Sequence, residues 1–252
     1  MSESEQLVIE ERRGGVLCIA LNRPERHHAL NNALSDAISE SLERAAADPE
    51  VACVILTGTG GKAFCAGGDM LEMSGVEQSQ AAKSRGAGGL FGAISRMSVP
   101  VIAAVNGYCF GGGARLAIGC DIRIASTNAS FRLPGSEYGL VVAAASLPRL
   151  VGAARAKELI FTARKFGAQE AFDYGLVTSL HEPGELMDAA WAMGETIAGM
   201  SRSAVAEAKR VIDTATLSDE ARHMEDDANK RLRGSPEQVD RFRNATRKVT
   251  GR

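Results

Sequence analysis

Two glycine-rich turns hold the residues best placed to do chemistry. The first is TGTGGKAFCAGGDM, Thr57 to Met70. The second is NGYCFGGGARLAIGCD, Asn106 to Asp121. Each follows an apolar run. Neither fits a phosphate-loop template. Gly61-Lys62 is followed by Ala63, and Leu56 stands where the first glycine of that template belongs. The dinucleotide template fails too, because Leu116 takes the place of its third glycine. Glycine lets backbone approach a ligand closely, and the first N–H groups of a helix have no internal partner. Two such turns facing each other would aim two amides at one point. That is an oxyanion hole, suited to an enolate or tetrahedral oxyanion on a thioester carbonyl. Spacing alone also allows a plainer use, tight packing of strand on helix.

Other reactive residue types are sparse. The five cysteines (Cys18, Cys53, Cys65, Cys109, Cys120) form no C-x-x-C pair. They read as buried reduced thiols rather than a disulfide or zinc framework. His27, His28, His181 and His223 lack metal-ligand spacing. Asp69 reads as a turn-former that bonds backbone amides, and Asp121 as a similar turn or strand-edge residue. Ser136, Tyr138 and Ser146 are polar candidates for orienting water or an acyl group.

The elements that must position these residues follow from periodicity. VLCIAL (16–21), VACVILTG (51–58), VPVIAAVNG (99–107) and DIRIAS (121–126) read as buried strands. An amphipathic helix runs from about Ala33 to Ala47, ended by Asp48-Pro49. This alternation predicts an α/β domain with parallel pairing. Gly75 to Gly89 reads as a mobile loop or loosely held helix. From about Pro183 four helical patterns follow, the last opened by Ser235-Pro236. The expected division is a core over 1–183 and a helical region over 184–252.

The chain has 252 residues and a net charge of -2. That balance argues against nucleic acid as the main partner. No apolar run approaches the roughly 20 residues of a membrane helix, and the acidic amino terminus lacks a secretory h-region. A cytoplasmic protein without a membrane or nucleic-acid partner is expected.

NRPERHHALN, FCAGGDM, VPVIAAVNGYCFGGGARLAIGCDIRIAS and ARKFGAQEAFDYGLVTSL occur in that order. Together they resemble the crotonase superfamily, the enoyl-CoA hydratase/isomerase family. The resemblance implies a spiral of ββα units with C-terminal helices that build a homotrimer or a dimer of trimers. It implies an acyl-CoA or enoyl-CoA substrate, with no cofactor beyond the CoA of that substrate. It places the oxyanion amides at Gly68 and Gly112. Ala66, Asp69, Met70 and Leu71 fall where the family holds the adenine and pantetheine of CoA. Arg26 and His27 fall where it holds CoA phosphates, and Arg247 and Lys248 are the tail residues that could reach them. His27 and His28 depart from the family's commoner wording and could also be plain loop residues.

The resemblance breaks at the catalytic carboxylates. The family's hydratases use a glutamate two residues after the third glycine; here Arg115 stands there. The second glutamate falls on Gly135. Arginine stays protonated and cannot act as a general base. Glu137, two residues on, would share a face with the vacant place if the segment were extended. Three arrangements are open for it: a lone acid/base of isomerase type, a structural ion pair with Arg115, or a solvent-facing side chain. Three functions follow. One is single-carboxylate isomerisation on an oxyanion hole. Another is a catalytically silent acyl-CoA binder or assembly protein. The third is an enzyme for an anionic acyl group paired with Arg115.

Overall fold

A computed structural model describes residues 6–74 and 89–250, the side chains of 249 and 250 excepted. Residues 75–88, most of the stretch expected to be a loop or loose helix, lie outside the described residues. The strands are β1 (Val8–Arg13), β2 (Val16–Leu21), β3 (Cys53–Gly58), β4 (Ala63–Cys65), β5 (Val101–Val105), β6 (Tyr108–Phe110), β7 (Ile122–Ser126), β8 (Ser130–Arg132), β9 (Phe166–Gly167) and β10 (Ser179–His181). The helices are α1 (Asn32–Ala47), α2 (Met70–Met73), α3 (Gly89–Ser95), α4 (Gly112–Gly119), α5 (Pro148–Val151), α6 (Ala153–Thr162), α7 (Ala168–Asp173), α8 (Leu186–Ala198), α9 (Arg202–Thr216), α10 (Asp219–Leu232) and α11 (Pro236–Thr250).

Successive units send their two strands into different sheets. One sheet has the order β1-β2-β3-β5-β7-β10, the other β4-β6-β8-β9. β2, β3, β5 and β7 pair in parallel, in keeping with their largely apolar, buried sequences. The expected strands all form. β1 was not expected. It pairs antiparallel with β2 across Gly14-Gly15 and exposes all but Val8, so its hydrophobic signal is weak. The glycine pair is the turn signal that could have revealed it.

α1 starts where Asn31 accepts a hydrogen bond from the Leu34 amide at 2.9 Å. Its Leu34, Ile38 and Leu42 bury fully against the first core. The other face of the large sheet is covered by α8, whose Leu186, Ala190 and Trp191 pack with Val16, Ile55 and Ile102. The first helix expected in the tail thus covers the sheet. α9, α10 and α11 follow, polar over most of their surfaces. Lys209 of α9 ties them to the core by a 2.8 Å ion pair with Asp121, which also accepts from the Val101 amide at 2.7 Å. Asp121 therefore holds a strand edge, as expected.

The five cysteines are free and buried. Burial pushes the Cys18, Cys53, Cys65 and Cys120 thiols up to about 12. They serve as small core residues, because the thiolate is the reactive form. No described helix is long and apolar enough to cross a membrane.

His28 is a loop residue, as expected, in the turn after Pro24–Arg26, but a buried one. It is 1% exposed at a φ of +55°. The Arg23 amide donates to its Nδ1 at 3.0 Å, and its Nε2 lies 3.0 Å from the Thr59 carbonyl. This arrangement needs the neutral ring with its proton on Nε2. Burial lowers its pKa from the ordinary 6.5. The unfolded chain therefore binds this proton more readily. Stability from His28 is present above about pH 6.5 and is lost as pH falls through the lower folded value. We expect unfolding free energy to fall between pH 7.5 and 5.5, by at most about 1.4 kcal/mol per pH unit from this group. Urea titrations of the protein and of His28→Gln test it. Parallel pH profiles for the two would refute the assignment.

Candidate active site

β4 and β6 lie side by side in parallel, with Ala63 opposite Tyr108 and Cys65 opposite Cys109. Parallel neighbours bring their following loops out at the same end, the usual place for a site in such sheets. The loop after β4 is Ala66-Gly67-Gly68-Asp69. The loop after β6 is Gly111, leading into α4 at Gly112. The two glycine turns singled out in the sequence therefore face each other.

Their approach is close. A Cβ on Gly113 would sit 2.2 Å from the Cys65 carbonyl oxygen, so only glycine lets α4 pack there. A Cβ on Gly112 would lie 3.5 Å from the Gly68 nitrogen. Gly67 holds a φ of +101°, a region that L side chains rarely adopt. The plainer reading of these glycines is thus correct as well: they pack strand on helix, and in doing so they bring two amides together.

The first turn is clamped from behind. The Leu30 amide donates to the Gly67 carbonyl at 2.7 Å, and the Asp69 amide donates to the Leu30 carbonyl at 2.9 Å. The Gly68 amide lies between those two bonds and takes no part in them. Among the described residues, neither the Gly68 nor the Gly112 amide donates to a backbone carbonyl. Both residues are half-buried, so a ligand can reach them. α4 adds the positive end of its dipole at Gly112. Arg123, itself buried, donates to the Cys120 and Ala117 carbonyls at the far end of that helix.

Asp69 is a turn-former, as expected. It caps α2 by accepting from the Leu71 and Glu72 amides. Its charged partner lies 46 positions away in the chain. Arg23 donates to Asp69 at 2.9 Å and to the Ala29 carbonyl at 2.8 Å, with 13% and 4% of the two charged side chains exposed. This pair fixes the turn that presents Gly68.

Of the residues matched to CoA contacts, Ala66, Asp69, Met70 and Leu71 follow one another along the first turn and α2, and Ala66 touches the Arg26–His27 stretch. The Ala66 amide donates to the His27 carbonyl at 3.0 Å. Met70 and Leu71 are half-buried on α2, Arg26 is half-buried and His27 exposed. The His27 ring lies 5.9 Å from Tyr108, and Tyr108 lies 5.3 Å from Phe110. Lys165 stands over both aromatic rings, 5.2 Å from Tyr108. Tyr108, Phe110 and Lys165 were not singled out in the sequence. Their strand positions alternate with buried Cys109, a period-two signal that could have found the aromatic pair. Arg247 and Lys248 are exposed on the last turn of α11.

The carboxylates differ most from expectation. Glu137 does not pair with Arg115. It pairs with Arg132 of β8, which also donates to the Ala163 carbonyl at 2.8 Å. Residues 136–138 form a single 3-10 turn instead of an extended strand, so the same-face argument for Glu137 does not apply. Ser136 donates to the Ile160 carbonyl, and Tyr138 meets Phe242 of α11 edge to face. Burial raises the Tyr138 phenol above its ordinary value. Gly135 has no room for a side chain: a Cβ would lie 2.9 Å from the Leu140 carbonyl oxygen.

Arg115 turns instead toward α10. Its guanidinium stacks on Phe91 at 4.4 Å. It lies 3.8 Å from both Glu225 and Asp226. The Glu225 side chain is 5% exposed. Its two carboxylate oxygens accept from the Ala143 amide at 3.1 Å and the Ala145 amide at 2.8 Å. Nothing in the glycine motifs pointed to Glu225. A cavity of about 400 Å³ opens here, lined by Phe91, Arg115, Ala143, Ser146, Glu225 and Asp226 among others.

The comparisons agree with this architecture. The family model for enoyl-CoA hydratase/isomerase matches residues 11–248. A short-chain-enoyl-CoA hydratase of Clostridium acetobutylicum is 40% identical over 210 residues, covering 82% of this chain and 80% of that protein. An enoyl-CoA hydratase/isomerase structure from Pseudoalteromonas atlantica superimposes with a TM-score of 0.87 at 29% identity, over 96% of this chain and 97% of that one. A carnitinyl-CoA hydratase structure from Mycobacterium avium gives 0.87 at 31% identity, over 97% of each. With the family's paired glycine turns, its fold and near full-length sequence similarity in hand, this chain belongs to the enoyl-CoA hydratase/isomerase family of the crotonase superfamily.

Proposed function

We propose that the protein binds an acyl-CoA thioester, holds its enolate oxygen on the Gly68 and Gly112 amides, and moves a proton with a single carboxylate. The apposition of two unspent amides carries this reading. Isomerisation of a 3-enoyl thioester asks least of the remaining residues. Glu137 takes the proton from C2, and the electron pair delocalises through C3–C4 and onto the thioester oxygen as a dienolate. The same carboxyl returns the proton to C4, leaving a 2-enoyl thioester and a carboxylate. The pair with Arg132 is exposed on both sides, and such pairs are worth about 0–1 kcal/mol. That small cost supports release of Glu137 toward a bound substrate. Hydration by paired glutamates lacks both carboxylates, at Arg115 and Gly135.

The nucleotide end of CoA would lie over His27, Tyr108 and Lys165, where ring faces suit adenine and cations suit phosphate. The trimer or hexamer implied by the family would cover apolar side chains now exposed on the tail, among them Val211, Ile212 and Met224.

The Arg132 pairing of Glu137 also favours the second reading, a catalytically silent acyl-CoA binder or assembly protein. One experiment separates the two. The protein is incubated in D₂O with 3-hexenoyl-CoA and 2-hexenoyl-CoA, and deuterium uptake, isomerisation and hydration are followed. We expect exchange and isomerisation without hydration at ordinary hydratase rates, and loss of exchange in Glu137→Gln. Tight binding with no exchange would establish the silent reading. Rapid hydration would refute the importance of the missing carboxylates.

A further inference from the structure

The cavity beside Arg115 has chemistry that a plain hydrocarbon tail does not match. Arg115 sits on α4 one turn beyond Gly112, so an acyl chain held at the amides and running along that helix meets it. Among the described residues its guanidinium donates no hydrogen bond; its two acids stand 3.8 Å away, beyond bonding distance. Glu225 accepts one amide hydrogen bond at each oxygen, keeps a lone pair on each, and lines the cavity. An alkyl tail packed here would desolvate charged groups and give nothing back. Arg149, Lys209 and Arg222 also line the cavity, but each is paired, with Asp213, Asp121 and Asp219 respectively. A carboxylate tail reaching Arg115 would also meet Glu225 and Asp226, which flank that guanidinium. A neutral group that both donates and accepts satisfies both sides: it accepts from Arg115 and donates to Glu225 or Asp226. A hydroxyl is the smallest such group.

Resting on the acyl-CoA reading above, we propose that this cavity selects acyl-CoA thioesters bearing a hydroxyl on the chain beyond the β-carbon. Arg115 and Glu225 are the specificity-determining residues, one the donor and the other the acceptor. The aromatic face of Phe91 holds the guanidinium flat and leaves its edge for the ligand.

The test is a binding series at constant chain length, read by calorimetry: hexanoyl-CoA, the 4-, 5- and 6-hydroxyhexanoyl-CoAs, and adipoyl-CoA, with acetyl-CoA as control. Hydrogen bonds to charged groups lead us to expect at least one hydroxyacyl-CoA to bind about 10-fold or more tighter than hexanoyl-CoA. Adipoyl-CoA should be weaker than that hydroxyacyl-CoA. Arg115→Leu should abolish the hydroxyl preference. Asp226→Asn, at a side chain 57% exposed and so tolerant of change, should narrow the gap to adipoyl-CoA in a normally folded protein. Hexanoyl-CoA binding as well as every hydroxyacyl-CoA would overturn the proposal. Tightest binding of adipoyl-CoA would overturn it in favour of an anionic acyl group. Failure of every thioester, acetyl-CoA included, would instead remove the acyl-CoA reading on which it rests.

Discussion

Replacing Gly112 with proline will lower thioester proton exchange by about 10²–10³-fold while leaving the fold intact. Proline lacks the N–H, so one of the two donors aimed at the enolate oxygen disappears. The added Cβ would meet the Leu30 Cδ1 at 3.2 Å, the end of a flexible side chain that must shift by a few tenths of an ångström. Gly112 is the first residue of α4, where a helix tolerates proline, and Gly111 before it has the freedom of glycine. The loss corresponds to about 3–4 kcal/mol of transition-state stabilisation, the usual cost of one oxyanion donor. Affinity for a saturated acyl-CoA should change much less, because the negative oxygen exists only after the proton leaves. Exchange rate and Kd measured on the same variant separate these effects. Circular dichroism checks that the fold is kept. An unchanged exchange rate would mean that the Gly112 amide does not face the reacting oxygen.

The second large effect is on stability. Glu225→Ala should cost about 3 kcal/mol, seen as a fall in Tm of roughly 10 °C for a chain of this size. The substitution strands two amides, at Ala143 and Ala145, and removes a buried partner of Arg115. Ala143 adds to the cost, because its φ of +59° is held only by the surrounding contacts. Asn229 on the same helix bonds the Val141 amide and carbonyl at 2.9 and 2.7 Å, so α10 grips this loop at two points. Glu225→Gln should recover only part of the loss. Its amide oxygen accepts one bond, but its NH₂ meets a second donor. A Tm within about 2 °C of the parent for Glu225→Ala would show that the loop is not held by this carboxylate.

These two residues differ in how visible they were in the sequence. Gly112 stood in a local motif. Runs of apolar residues marked the parallel strands, and the glycines followed them directly, so the neighbouring turns could be inferred without coordinates. Asp69 was readable for the same reason: capping and turn chemistry act over two or three residues. The tail helices were legible from their 3.6-residue period, and the start at Pro236 from the Ser-Pro signal.

What acts over a distance was not legible. The strand β1 escaped because only one of its six side chains is buried. His28 looked like a loop residue, and only the fold encloses it between Arg23 and Thr59. Glu137 seemed to flank the vacant catalytic place, but a 3-10 turn gives it to Arg132.

The sequence by itself determined the family, the parallel α/β core and the two glycine turns that follow its strands. It also put Arg115 and Gly135 at the places where the family resemblance implies the hydratase carboxylates. Only the tertiary structure decided what Arg115 faces. Its acid partners come from a helix more than 100 residues along the chain, and Glu225 reaches the Ala143 amide across 82 positions. Periodicity and turn chemistry are short-range and leave their mark in neighbouring residues. Charge pairing depends on distance in space, and α10 is brought to that loop by packing that no local pattern records.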